Sequence, residues 1–284
     1  MKRRLAIVWH WLRGKRNNVG LAELLSKVAG RTCVSRAKRL ITKIEDGGDF
    51  WIVSLKNLPT AFYYPKNLPT QPSDFVTLFA KRFPLKPLCH VICETMCPDD
   101  WHYYEAEGTQ VTPEDVVLDC GASEGLFTLS VATRCRRVYA VEPHPAFASA
   151  LRLTLQHYPN AEVLELALGS EPGTAFLSDY GIASRLSTSG HRVRVARVDD
   201  LTDKITYIKA DLEGYEMEML RGARKTIQRW SPRISIATYH KPEHAREITE
   251  YLRGINPNYK VRTKGIEASN GAPVILHAWV ETKA

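Results

Sequence analysis

The segment Val116-Val-Leu-Asp-Cys-Gly-Ala-Ser-Glu-Gly125 holds the residues best suited to chemistry. An apolar run ends in the carboxylate of Asp119, and Gly121 and Gly125 then permit a tight turn whose backbone, with Ala122 and Ser123 between the glycines, approaches a ligand at the start of a helix. A second apolar run ends at Glu142-Pro143, with Glu142 lying 21 residues after Gly121. An acid at that place in a βαβ unit accepts the two hydroxyls of a nucleoside ribose. A Gly-x-Gly-x-x-Gly spacing is absent, and a pyrophosphate on backbone N–H groups has no use for a carboxylate such as Asp119. A nucleoside with a cationic centre and an ammonium tail has such a use.

A second constellation, Ile208-Lys-Ala-Asp-Leu-Glu-Gly-Tyr-Glu216, offers Asp211, Glu213 and Glu216 where another strand ends. Asp211 is the candidate for a role beside the reacting group, while Glu216 equally suits a helix N-terminus. His240, in Thr238-Tyr-His-Lys-Pro-Glu-His244, is a candidate general base, because an unperturbed pKa of about 6.5 lets imidazole take a proton near neutrality. In the catalytic assignment Asp211 and His240 act together without a metal; the alternative is a divalent ion on Asp211, Glu213 and His240 that acidifies an acceptor hydroxyl. Cys89, Cys93 and Cys97 have neither zinc nor iron–sulfur spacing and read as the packed face of a helix. Phe50, Trp51, Phe62, Tyr63 and Tyr64, with Trp101, Tyr103 and Tyr104, read as a hairpin core, or alternatively as a surface that stacks on sugar rings.

Strands at 116–120, 138–142, 162–167, 207–211 and 234–239 alternate with helices at 126–133, 145–157, 216–230 and 243–254, and two more strands at 259–263 and 274–280 form an antiparallel hairpin. The fold class is α/β, a doubly wound parallel sheet closed by that hairpin, with an N-terminal α+β extension. Residues 171–201 form an insertion of two edge strands or a flap. A hairpin is expected over 50–55 and 61–64, and a helix from Ser73 or Asp74 to about Arg82. Three regions are expected: a basic arm with helices at 1–45, an accessory region at 46–110 and the main domain at 111–284.

The chain has 284 residues, 44% hydrophobic and 25% charged, and no apolar run nears the roughly 18–20 residues of a membrane span. Of its formal charge of +8, residues 1–43 carry +11 (twelve Lys or Arg against Glu23), which leaves −3 for the rest. That asymmetry points the arm at an anionic partner, a membrane leaflet or, less favoured, nucleic acid. Leu5–Leu12 is broken by His10 and followed by Arg13, Lys15 and Arg16, unlike a secretory leader, and six scattered cysteines suit a reducing compartment. A cytoplasmic protein, peripheral at the inner face of the membrane, is expected.

Asp119-Cys-Gly-Ala-Ser-Glu-Gly125, Val141-Glu-Pro-His-Pro145, Leu166-Ala-Leu-Gly169, Ser184-Arg-Leu186, Val198-Asp-Asp-Leu201 and Ile208-Lys-Ala-Asp-Leu-Glu-Gly-Tyr-Glu216 with Leu220-Arg-Gly-Ala223 resemble the FkbM family of methyltransferases. The similarity runs from about Glu107 to the end of the chain. It implies a class I methyltransferase fold and S-adenosyl-L-methionine as methyl donor, with contacts from Asp119, Gly121, Ala122, Ser123, Gly125, Glu142, Pro143 and Ala167. It also implies transfer to a hydroxyl of a sugar in a glycan or glycolipid acceptor, or of a small secondary metabolite. Ser123 stands where members commonly carry Asn, and the acidic Glu124 follows it. RNA methylation is the rival expectation, motivated by the basic arm.

Overall fold

All five residues of the run Val116–Cys120 are buried, as a central parallel strand covered on both faces requires. In the computed structural model, which describes residues 2–178, 186–187 and 189–281, this run is β6 of a seven-stranded sheet. Its parallel partners are β7 (Arg137–Val141), β8 (Ala161–Leu164), β13 (Tyr207–Ala210) and β14 (Arg233–Ala237), and β15 (Lys260–Lys264) with β16 (Ile275–Trp279) closes one edge antiparallel. The order is β15-β16-β14-β13-β6-β7-β8. The order in which strands are added therefore reverses at β6, flanked in parallel by β7 and β13, and a crevice opens where the loops after β6 and β13 diverge. Helices α5 (Leu126–Ala132), α6 (Pro145–Leu155) and α9 (His244–Ile255) cross between strands as their periodicity predicts.

Several expected elements differ. The strand expected over 162–167 divides into β8 and β9 (Ala167–Leu168), because β9 leaves the main sheet and pairs in parallel with β12 (His191–Ala196). With β10 (Gly173–Leu177) and β11 (Leu186–Ser187) these make a separate sheet, so the insertion does not extend the main sheet's edge. Ser184 and Arg185 lie outside the described residues. The helix expected over 216–230 breaks at Ala223 into α7 (Glu216–Gly222) and α8 (Arg224–Trp230), and Asp199 accepts hydrogen bonds from the Lys225 and Thr226 N–H groups at the new N-terminus.

The helix expected over 73–82 does not form. A single 3-10 turn, Pro72–Asp74, leads into a ribbon of β4 (Val76–Leu78) and β5 (Lys81–Phe83), joined by Phe79 and Ala80 in left-handed conformation. A backbone reversal of that kind makes hairpins and ends helices.

The N-terminal region folds onto the main domain. Helices α1 (Lys2–Leu12), α2 (Leu21–Ala29) and α3 (Cys33–Leu40) precede an antiparallel meander of β1 (Ile41–Gly47), β2 (Phe50–Leu55) and β3 (Phe62–Pro65), so the expected boundary near 45 falls inside β1. The meander and α4 (Leu85–Met96) share one core with the main domain: Val53, Phe62, Phe83 and Leu88 cluster with Leu126, Leu129 and Phe147. Ile7, Val19 and Leu24 pack with Trp101 and Ile266, and Asn17 Nδ2 donates to the Gly265 and Gly271 carbonyls. Cys89 and Cys93 face Cys33 across α3 and α4, with the Sγ atoms of Cys33 and Cys93 3.2 Å apart. No helix among the described residues is long and apolar enough to cross a membrane.

Candidate active site

The crevice at the switch point is a cavity of about 980 Å³. Gly121, Ala122 and Ser123 form its floor, Glu142 and Pro143 follow β7, Ala167 belongs to β9, and Asp211 follows β13; all seven line it. Asp119, Gly125 and His240 do not. The two glycines serve packing as much as any ligand. At Gly121 (φ +75) an added Cβ would lie 2.1 Å from the Asp211 carbonyl oxygen, and at Gly125 (φ +82) 2.3 Å from Leu151 Cδ2.

Asp119 is fully buried. Its Oδ1 lies 3.0 Å from Lys209 Nζ, and its Oδ2 accepts a 2.6 Å hydrogen bond from Thr128 Oγ1. The expected role as a carboxylate aimed at a cationic ligand is therefore corrected: the protein supplies the cation itself. Lys209 also donates to the Gly121 carbonyl at 2.7 Å, so the buried pair pins the glycine turn to β13. Lys209 lies in an otherwise apolar four-residue strand, a pattern that marks a buried, paired cation.

Glu142 accepts hydrogen bonds from the Ser123 and His144 N–H groups, each at 2.8 Å, which fixes its carboxylate against the turn while leaving lone pairs for a diol. Burial pushes its pKa up to about 7, against the lowering effect of those bonds. Glu124, on the same wall, is fully buried with no hydrogen-bond partner for either carboxylate oxygen among the described residues, and burial raises it to about 8. An unpartnered carboxyl there is what an ammonium group from the cavity would satisfy.

Asp211 sits between two histidines. His240 Nε2 is 3.5 Å from Asp211 Oδ1 and 3.5 Å from Glu213 Oε2, with its Nδ1 2.8 Å from Glu216 Oε1. On the other side His102 Nε2 is 3.8 Å from Asp211 Oδ2, its Nδ1 2.9 Å from Glu94 Oε1, and Tyr104 donates its hydroxyl proton to Asp211 Oδ2 at 3.3 Å. Burial alone would lower His240, but the carboxylates of Glu213, Glu216 and Asp211 outweigh it and raise its pKa to about 10. His102 is likewise raised, its burial outweighed by Glu94 and Asp211. At neutral pH His240 is thus protonated, and it stands behind Asp211 instead of in the cavity wall. The free base expected at His240 is met by a ring outside the cavity lining, with the carboxylates of Asp211, Glu213 and Glu216 around it. Burial raises Asp211 itself, opposed by both imidazoliums and Lys209.

Among the described residues three donor sets are compact enough to hold an ion: Cys33 with Cys89 and His90, Glu94 with His102 and Asp211, and Asp211 with Glu216 and His240. The last contains Glu216 in place of the expected Glu213. Of the aromatic residues, Phe62 and Tyr64 are hairpin core, whereas Trp101 and Tyr104 line the cavity beside Phe127 and Tyr239. Lys209, Glu124, Glu94 and His102 were not anticipated as site residues, and for the last two no spacing to the glycine turn exists, since they arrive through tertiary packing of the N-terminal region.

The Methyltransferase FkbM domain matches residues 119–260. Among curated proteins, the chain is 38% identical to an rRNA adenine N-6-methyltransferase of Saccharopolyspora erythraea over 28% of this chain and 23% of that protein. It is 26% identical to the hexuronic acid methyltransferase AglP of Haloferax volcanii over 49% of this chain and 62% of that one. The chain thus spans less than two thirds of the length of either relative. Among solved structures, a methyltransferase FkbM from Methylobacillus flagellatus is 22% identical with a TM-score of 0.49, covering 63% of this chain and 49% of that chain. The match over 119–260, half of the 284 residues, shows that the chain belongs to the FkbM methyltransferase family.

Proposed function

We propose that the chain is an S-adenosyl-L-methionine-dependent O-methyltransferase acting on a sugar hydroxyl in a surface glycan or its lipid-linked precursor. The observation that carries this reading is a buried carboxylate, Asp211, flanked by the rings of His102 and His240 in the wall of the cavity that the glycine turn and Glu142 also line. When bound, S-adenosyl-L-methionine supplies an electrophilic methyl group on a sulfonium. Glu142 accepts the ribose hydroxyls, Glu124 accepts the ammonium, and Gly121 to Ser123 give the backbone close approach.

Asp211 accepts the proton of the acceptor hydroxyl at the Oδ2 that Tyr104 and His102 face, as charge develops on the attacking oxygen. His240 and His102 hold that carboxylate in place, each fixed by its own glutamate. Trp101, Tyr104 and Tyr239 offer apolar faces to a sugar ring. A sugar acceptor is also supported by the similarity to AglP, named a hexuronic acid methyltransferase.

The similarity to an rRNA adenine methyltransferase favours a second reading. Against it, Ala210-Asp-Leu-Glu213 ends β13 where base-amino methyltransferases carry an Asn-Pro-Pro-Tyr type tetrapeptide. Three of the basic residues around the cavity are also paired with acids: Lys27 with Asp100, Arg36 with Asp99 and Asp100, Arg3 with Glu267. The test is incubation with methyl-labelled S-adenosyl-L-methionine and, in parallel, a uronate-bearing glycan and ribosomal RNA. Label on a sugar hydroxyl supports the proposal, and label on adenine of the RNA alone overturns it.

A further inference from the structure

The face that α1 turns away from the cavity carries the next inference. Among the described residues seven large apolar side chains are exposed, and five of them, Leu5, Trp9, Leu12, Leu21 and Leu25, belong to the first two helices. Leu5, Trp9 and Leu12 recur at helical spacing on α1 and are 62%, 51% and 71% exposed. Scattered single exposures need no explanation, but an apolar stripe on one short helix does. The stripe is not a frayed end, because the opposite face of α1 is locked down: Ile7 packs with Val19, Leu24, Trp101 and Ile266, and the Arg4 guanidinium donates to the Val28 and Gly30 carbonyls.

Charge says what covers the stripe. Lys2, Arg13, Lys15 and Arg16 flank it, and none has a carboxylate partner among the described residues; Arg13 lies over the Trp9 ring at 4.5 Å and Arg16 over Trp11 at 4.7 Å. Glu23, the one acid in residues 1–43, is spent on Lys264. Apolar side chains rimmed by cations that have no carboxylate partner match an anionic lipid surface, where the leucines and tryptophan enter the headgroup boundary and the cations stay among phosphates. A protein partner would need no such uniform positive rim.

We infer that α1 and α2 dock the enzyme on an anionic leaflet through Leu5, Trp9 and Leu12, with Leu21 and Leu25 adding apolar contact. Since Arg3, Arg4 and Ile7 on the same helix line the cavity, docking sets one cavity wall beside the bilayer, where an amphiphilic acceptor presents its head. The inference concerns binding alone and stands whether or not the acceptor reading holds.

The test is flotation of the full chain with vesicles of phosphatidylcholine, with and without phosphatidylglycerol, at low and high salt. Binding is expected only with phosphatidylglycerol, weakening as salt screens the cations. Leu5→Ser/Trp9→Ser/Leu12→Ser is expected to bind at least about tenfold more weakly, with unchanged melting temperature and S-adenosylhomocysteine affinity, and Arg13→Gln/Arg16→Gln to lose binding at lower salt than the parent. Parent protein that ignores both vesicles overturns the inference, as does triple-variant binding equal to the parent's. Binding of RNA with a steep salt slope and no vesicle binding overturns it in favour of nucleic acid, and a solution dimer broken by the triple substitution without vesicle binding overturns it in favour of a second copy.

Discussion

Replacing Lys209 with Met is expected to destabilise the fold strongly, and the size follows from the geometry. Lys209 Nζ is 3.0 Å from Asp119 Oδ1 and 2.7 Å from the Gly121 carbonyl, with both side chains almost wholly shielded from solvent. Asp119 and Asp211 keep the lysine charged against the opposing effect of burial. At that separation the pair interacts by roughly 5 kcal/mol with an effective dielectric constant near 20. Met keeps the volume and removes the cation, stranding the Asp119 charge with Thr128 as its remaining donor.

Breaking one side of a buried pair costs about 3–5 kcal/mol. For a chain of this size that is a fall in Tm of roughly 5–8 °C. The assay is urea and thermal unfolding followed by circular dichroism on parent, Lys209→Met, Asp119→Asn and the double variant. The double variant should recover stability relative to the sum of the singles, because the stranded charge is gone. A loss below about 1 kcal/mol in Lys209→Met, or strict additivity in the cycle, would refute the argument that the pair pins the turn.

Glu142→Ala should weaken S-adenosyl-L-methionine binding by about 1.5–3 kcal/mol in calorimetry, the usual worth of hydrogen bonds to a charged group; an unchanged affinity removes the ribose assignment. The ligand-free protein should lose stability as pH rises from 7 to 10. His240 keeps its proton up to about 10 and Glu124 up to about 8, both above their unfolded values, so the folded state binds more protons in that window and stability falls through it, while the contribution of Glu142, raised to about 7, is lost mainly below it. His277, depressed to about 3 by burial, acts in the opposite sense only below about 6.5. A Tm that rises across pH 7–10 contradicts this. Gly121→Ala should fail in melting temperature as well as in cofactor binding, since the new Cβ meets the Asp211 carbonyl. A variant with parent stability would show that the turn relaxes freely.

The sheet was legible because its strands are short apolar runs ending in polar residues, and Val116–Cys120 was placed residue for residue. Where local pattern misled, a longer-range contact decided the outcome. Phe75, Leu78 and Phe79 have helical spacing, but the left-handed Phe79 and Ala80 make a ribbon whose Phe83 enters the core. The helix after Glu216 breaks at Ala223, beside Gly222, which packs so close to the Gly169 carbonyl that an added Cβ would lie 2.1 Å from its oxygen. At the site, Glu142 and Asp211 were readable as acids at strand ends. The state of His240 was not, since three carboxylates brought together by folding set it. His102 and Glu94 come from a region outside the matched family domain, and no short-range pattern ties them to Asp211.

The most direct test of the central claim is single-turnover methyl transfer by Asp211→Asn, with S-adenosyl-L-methionine saturating, a uronate-bearing glycan as acceptor, and His240→Gln measured alongside across pH. Asp211→Asn is expected to be slower by about 10²- to 10⁴-fold with nearly unchanged cofactor affinity, the range a general base supplies. A smaller loss is expected in His240→Gln with a shifted pH profile, because His240 acts through Asp211, and both variants should be indifferent to EDTA. Parent turnover in Asp211→Asn would contradict the claim that Asp211 removes the proton. Activity abolished by EDTA and restored by Mg²⁺ or Mn²⁺ would contradict it in favour of a metal on the same donors.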